Sequence, residues 1–330
     1  MAAAGPQLKL SRRGFTGFAA SALALSTLPS VVMAQSYPAR PVRVTVGLAG
    51  GTAPDITARL MAQRLSEQLG QPFVVENRPG AGTNVATETV VRARPDGYSL
   101  LLVLASNAFN AALYDNLNFD FVRDIAPVAS IGGIPFVMVV NPAFPAKTVP
   151  EFIAYAKANP GKINMASVGS GTAPHVYGEL FREMTAVDML HVPYRGNPLP
   201  DLMGGRVQVY FCAVASSIGF IRAGKLRALA VTTASRLELL PEIPTVGESV
   251  PGYEAIAWQG IGAPKNTPAE IIEKLNVEIN ASLADANIKA RLADIGVAPM
   301  PMAPAAFGKF IADETRKWGK VIKVANIKVD

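Results

Sequence analysis

The tetrapeptide GTAP occurs at residues 51–54 and again at residues 171–174. Each copy follows a short apolar run, "VRVTVGL" at 42–48 or "KINMASV" at 162–168, and leads into a run with helical spacing of apolar residues. In the first half that run is "DITARLMAQRLSEQLG", which predicts a helix with Ile56, Leu60, Leu65 and Leu69 on one face and a stop at Gly70. Both halves thus specify a strand, a glycine-bearing turn and a helix, and such units are confined to layered α/β architectures.

The remaining pattern keeps the alternation. "PFVVEN" predicts a strand, "RPGAGTN" a loop, the residues through Arg92 a helix and "YSLLLVLAS" a strand. In the second half "TVPE" at 148–151 is a capping box, "PHVYGELFREMTA" a helix and "DMLHVPY" a strand. "DLMGGR" then predicts a short helix, and "VQVYFCAVA" and "LRALAVTTA" two more strands. A second box, "TPAE" at 267–270, opens two long amphipathic helices that close the chain, one of them carrying Trp318. With 330 residues, half of them hydrophobic, two cores are expected rather than one. Residues 135–145 and 255–264 are extended, apolar and bounded by proline, as strands crossing between lobes would be. Two crossings make the first lobe discontinuous: lobe I is expected at 37–136 and 257–330, lobe II at 137–256, each a mostly parallel sheet flanked by helices.

Residues 1–34 differ from the rest. "SRRGF" at 11–15, an Ala-rich apolar run and "VVMAQ" form a signal peptide expected to be cut near Ala34, and the arginine pair also fits twin-arginine export. Gly17, Ser21, Ser26, Thr27 and Pro29 interrupt the run and argue against a permanent membrane span. Its removal takes Lys9, Arg12 and Arg13 and no acid, lowering the formal charge from +6 to +3. The remaining basic residues form no stripe, so nucleic acid is a poor partner. One cysteine, Cys212, permits no internal disulfide, and two histidines with one cysteine argue against a zinc site.

Both GTAP loops fall where strands hand over to helices, the place where open α/β sheets bind ligands. Helix N-termini present unpaired N–H groups and a partial positive charge, so each half offers an anion cradle. Gly-Thr and Pro equally serve as plain turns and caps, and on these residues alone both readings stand. "ASNAFN" at 105–110, "ASVGSG" at 166–171 and "PYRGN" at 193–197 add hydroxyl, amide and backbone donors. Tyr194 and Arg195 are candidates to line the cleft. Asp55 is expected to favour the dipole of the first helical turn, and His175 in the matching place either to fix its loop or to meet ligand. His191 and Trp258 are expected to pack, Trp258 at a hinge. For catalysis, "VGSGT" lacks the spacing of a nucleophile elbow, no phosphate loop is present, and the sequence indicates no carboxylate partner for His175 with Ser167 or Ser170.

"RPVRVTVGLAGGTAPDITARL", "RPDGYSLLL", "ASVGSGTAPHVYGELF", "HVPYRGN", "AGKLRALAVT" and "PTVGESVPGYEAIAWQG" together resemble the Bug family, the extracytoplasmic solute-binding proteins of tripartite tricarboxylate transporters. The resemblance covers essentially the whole chain after residue 34. It implies a monomeric, periplasmic protein of the two-lobed type II periplasmic binding protein fold, joined by hinge strands and using no cofactor. Its ligand would be an organic anion, a di- or tricarboxylate or an aromatic carboxylate, and its partners the membrane permease subunits or, alternatively, a sensor kinase. The family's ligand loops correspond to Gly51, Thr52 and Asp55 on one side, to Ser167, Gly169, Gly171, Thr172 and His175 on the other, and to Ser106 and Asn107, with Tyr194 beside them. Two departures matter. Thr52 stands where the family has a second glycine, and Cys212 and Ala213 stand where it has an Asp-Asn-like pair. Loss of that acid removes a partner for a ligand ammonium and points to a carboxylate without an amine.

Overall fold

The computed structural model describes residues 37–194 and 196–329, together with 1, 2 and 5. The expected signal segment lies almost wholly outside the described residues, as does Arg195. The chain begins with β1 (Val42–Val46), α1 (Ala53–Leu69), β2 (Phe73–Asn77), α2 (Asn84–Val91) and β3 (Ser99–Leu104). There follow α3 (Ala105–Leu113), α4 (Phe121–Asp124) and β4 (Ile125–Val140). The second half runs α5 (Val149–Ala158), β5 (Asn164–Ser167), α6 (Ala173–Thr185), β6 (Leu190–Pro193), α7 (Leu199–Met203), β7 (Val209–Ala213), α8 (Val214–Arg222) and β8 (Arg227–Val231). The chain closes with β9 (Ile256–Pro264), α9 (Ala269–Ala284), α10 (Ala286–Asp294), β10 (Ala298–Pro299) and α11 (Pro304–Val324).

The strands lie in the order β2-β1-β3-β9-β4-β7-β5-β6, with β8 and β10 also pairing β4. The outer strands are parallel, β1 with β2 and β3, and β5 with β6 and β7. The long central strands β4 and β9 run antiparallel to their neighbours. The sheet is therefore mixed, and the expectation of a mostly parallel sheet holds only toward its two ends. β4 changes partners along its length: through Pro135 it pairs β9, and from Phe136 onward it pairs β7 and β8.

Several local expectations are corrected. In α1 Ile56 is 40% exposed, and the buried face is Thr57, Ala58, Leu60, Met61, Ala62 and Leu65. Small residues let the helix lie close to β1 and β2, so size outranks hydropathy there. "ASNAFN" is helix, not loop: Asn107 Oδ1 accepts the Leu104 N–H at 2.7 Å and turns β3 directly into α3. The "VQVYFCAVA" strand stops at Ala213, where α8 begins. At "TPAE" no box forms, because Thr267 donates its hydroxyl to Pro264 O at 2.8 Å and Pro268 occupies the cap. Thr148 does accept from Glu151 N, but the Glu151 carboxylate returns to Lys147 N. Three helices follow β9 where two were expected.

Aromatic packing fixes the helices behind the central strands. Phe109 stacks edge-on against Tyr177 and Trp318, with centroids 6.5 and 5.5 Å apart. The buried Glu314 carboxylate accepts from the indole N–H groups of Trp258 and Trp318 at 3.2 and 2.7 Å, tying β9 to α11. Trp258 is thus a packed residue, 1% exposed, at the edge of the cavity described next.

Candidate functional site

The two GTAP segments fold identically. Gly51 has φ 82° and Gly171 φ 73°, left-handed conformations that favour glycine. Thr52 and Thr172 then share extended backbone, with φ/ψ of −75°/157° and −77°/160°. Each threonine hydroxyl donates three residues back, to Ala49 O at 2.9 Å or Gly169 O at 2.7 Å. Each glycine N–H donates four residues on, Gly51 to Asp55 Oδ2 at 2.8 Å and Gly171 to His175 Nδ1 at 3.1 Å. One loop is thus built twice, with a carboxylate as its anchor in the first half and an imidazole in the second. Neither α1 nor α6 receives a side-chain cap, so their first N–H groups stay open.

These loops share one cavity of about 320 Å³. Pro54 enters it from the first GTAP and Ser170, Gly171, Thr172 and Ala173 from the second. Gly82 and Thr83, just before α2, and Leu104, Ala105 and Ser106, at the start of α3, complete the polar side. Four helix N-termini, those of α1, α2, α3 and α6, therefore converge on one space, with Asn110 beside them. Apolar residues complete the lining: Leu48, Phe109, Leu113, Ile134, Ala257, Trp258 and Val329, with Tyr114 among them. Among the described lining residues none is charged. Converging dipoles without counter-charges make a site for an anion whose remaining surface is apolar.

Of the residues expected from sequence, Ser106, Gly171 and Thr172 line the cavity. Gly51 and Thr52 are not among the lining residues; their loop delivers Pro54. Asp55 is buried and organises that loop, accepting from Gly51 N, Arg59 Nε and Asn77 Nδ2. Burial pushes its carboxyl up, but these hydrogen bonds outweigh it and hold the group below the ordinary carboxylate value. Asn107 faces inward, donating to Thr83 Oγ1 and Thr87 Oγ1, and so supports the α2 end rather than lining the space. Ser167 and Gly169 stand behind the second loop: Ser167 Oγ shares hydrogen bonds with Gly169 and lies 2.6 Å from His191 Nε2. His175 stacks on His191 at 3.5 Å with rings nearly parallel. Tyr194 donates to Asp201 at 2.8 Å, and burial followed by that bond raises its phenol. Cys212 is fully buried, its thiol pushed up to about 12 by burial, and Ala213 ends β7 beside it; neither is among the lining residues.

Sequence reasoning missed Thr83, Leu113, Tyr114, Ile134 and Val329, and reached Phe109 and Asn110 only as part of the stretch at 105–110. A signal for Thr83 existed in "GAGT", where Ala81, Gly82 and Thr83 all take positive φ and a side chain on Gly47 would strike Thr83. The apolar wall gave none, since its residues come from five separate elements.

The sequence profile described as tripartite tricarboxylate transporter family receptor matches residues 57–327. The chain belongs to that family. BugT of Bordetella pertussis is 34% identical over 312 residues, covering 93% of this chain and 96% of BugT. A protein of R. palustris solved with adipate is 35% identical with TM-score 0.74, covering 89% of this chain and all of that one. MatC of Rhodopseudomonas palustris, solved with malate, is 30% identical with TM-score 0.71, covering 87% of this chain and all of MatC. The receptor has the two-lobed α/β fold of periplasmic binding proteins, and its family is one of solute-binding receptors, not enzymes. The chemistry agrees: the Ser167–His191 pair is an anchor for a loop, with the serine wholly buried. No helix among the described residues is long and apolar enough to cross a membrane.

Proposed function

We propose that this receptor captures a small organic carboxylate, without an ammonium group and with an apolar or aromatic body, for delivery to the permease of a tripartite tricarboxylate transporter. The supporting observation is the cavity itself, lined by four helix N-termini and by apolar residues that include Phe109, Tyr114 and Trp258, with no charged side chain among the described lining residues. A volume of about 320 Å³ is roughly twice the ~150 Å³ that accommodates benzene in an engineered protein cavity, enough for one ring and its carboxylates. Adipate and malate in the related structures are carboxylates that lack an amine, as this reading requires. On the first-half side Gly51, Thr52 and Asp55 set the loop; on the other Ser167, Gly169 and His175 do so, while Ser106, Gly171 and Thr172 meet the ligand. Lobe I comprises 37–136 and 257–330 and lobe II 137–256. The change of partners in β4 at Phe136 supports that boundary, and β4 and β9 serve as hinge. Ligand contacts completed only on closure shift the hinge equilibrium. The protein acts in the periplasm after cleavage near Ala34.

A thermal-shift screen of benzoate, terephthalate, adipate, malate, citrate and glutamate tests this. A true ligand at ~100 times its dissociation constant adds about 2.7 kcal/mol of stability. Preference for glutamate, or no response to any carboxylate, would refute the reading.

A further inference from the structure

The chain beyond α11 returns to the binding cavity. α11 ends in a left-handed turn: Asn326 has φ 49°, its N–H donates to Lys323 O, and the Ile327 N–H donates to Ile322 O at 3.0 Å. The turn reverses the chain, Ile327 is buried, and two residues later Val329 lines the cavity. A Cβ on Gly171 would lie 2.8 Å from Val329 Cγ1 and 3.0 Å from Leu113 Cδ1. The end of α3, the loop before α6 and the tail after α11 therefore meet at one point of the ligand space. Gly171 takes a φ of 73° that favours glycine, and the valine leaves little room for a side chain there. The family profile stops at residue 327, so Val329 lies beyond the part it matches.

We propose that residues 327–329 form a specificity-determining wall of the cavity, in which Val329 limits the length of ligand accepted and straps the loop before α6 to α3. The specificity half of this rests on the carboxylate reading above; the strap half does not. In an apolar pocket one methylene more or less changes discrimination roughly 10- to 200-fold, so a valine at the wall is enough to select.

Two measurements on the full chain decide it. The first uses no ligand. Val329 Cγ1 occupies the γ position that a cysteine sulfur would take, so a Gly171→Cys, Val329→Cys pair is within disulfide reach. With oxidised glutathione as oxidant the two thiols are expected to lose two hydrogens and join, read by mass spectrometry; Cys212 is fully buried and does not compete. Free thiols in a double variant whose circular dichroism is unchanged would overturn the strap. The second measurement is calorimetry with benzoate and adipate. Val329→Ala is expected to weaken benzoate about tenfold, and Val329→Phe to disfavour adipate relative to benzoate by about tenfold. Wild-type affinities in both variants would overturn the wall. If the wild-type chain binds none of the screened carboxylates, the carboxylate reading and the wall fall together, and the disulfide result alone decides the strap; if it binds others but neither probe, the same comparison is made with the shortest and the longest carboxylate it binds.

Discussion

Acid should loosen the second binding loop, because a neutral His191 holds Ser167 at the base of that loop. Gly171 donates to His175 Nδ1, so the His175 proton sits on Nε2, facing Glu179 Oε1 at 3.7 Å. His191 lies flat against His175 and holds Ser167, while Arg182, paired with Glu179, adds positive charge nearby. Burial first, then the neighbouring His175 and Arg182, lower the His191 imidazole from 6.5 to about 4. The sign follows directly. Between these values the unfolded chain binds the proton and the folded one does not, so stability rises with pH through this window and is lost as pH falls toward 4. Full linkage would amount to about 3 kcal/mol. The ring is partly open to solvent, which reduces the expected loss to roughly 1.5 kcal/mol. Urea unfolding at several pH values from 7 to 4.5 measures it, and His191→Gln removes the titration while keeping a polar partner for Ser167. Carboxylates titrating in the same range contribute equally to both proteins, so the difference in slope isolates the histidine. Parallel stability–pH curves for wild type and variant would refute the argument.

Three further outcomes follow from single side chains. Ser106→Ala, at a hydroxyl that makes no hydrogen bond among the described residues, should leave the melting temperature within a degree or so while weakening carboxylate binding by about 1 kcal/mol in calorimetry. Asp55→Ala strands Gly51 N, Arg59 and Asn77 together and should cost about 2 to 3 kcal/mol in urea unfolding, with binding weakened through the displaced α1 end. Because the Asp55 carboxyl is held below its ordinary value, its contribution is present at neutral pH and is lost only as pH falls through that depressed value. Cys212 should resist thiol reagents in the native protein and react at once in denaturant, with ligand changing neither rate; rapid native labelling would show the second-half core to be open.

The strand, loop and helix units were legible because hydrophobic periodicity and glycine are local signals, and both GTAP turns took the conformation that glycine in this setting demands. What escaped was set by contacts across the fold. Asn107 reads as a loop residue because small polar residues cluster around it, yet its amide completes a helix start that no local pattern announces. Thr267 reads as a cap but turns back to Pro264, since the preceding strand end offers a nearer acceptor. The site divided along the same line. Its donors sit in loops that sequence identifies, whereas its apolar wall joins Phe109, Ile134, Trp258 and Val329, residues that as sequence are ordinary core.

The division between donors and wall also explains how a cavity with no charged side chain among its described lining residues serves a receptor. Each open helix end attracts an anion by about 0.3–1 kcal/mol at the surface and up to ~2 kcal/mol when partly buried, so four together supply several kcal/mol. A lysine or arginine in the same place would attract more strongly, but in the empty receptor it would sit desolvated and unpaired, costing several kcal/mol. Backbone dipoles carry no such penalty, because folding has already oriented them. Asp55 and His175 perform that orientation by holding the glycine N–H of each loop, which is why the polar side chains most conspicuous in the sequence stand one layer behind the ligand space. Attraction of this size, divided between the two halves, is strong only when both loops face the anion together. Under the proposed function, opening a hinge at β4 and β9 removes much of it at once, so that a captured anion can be released.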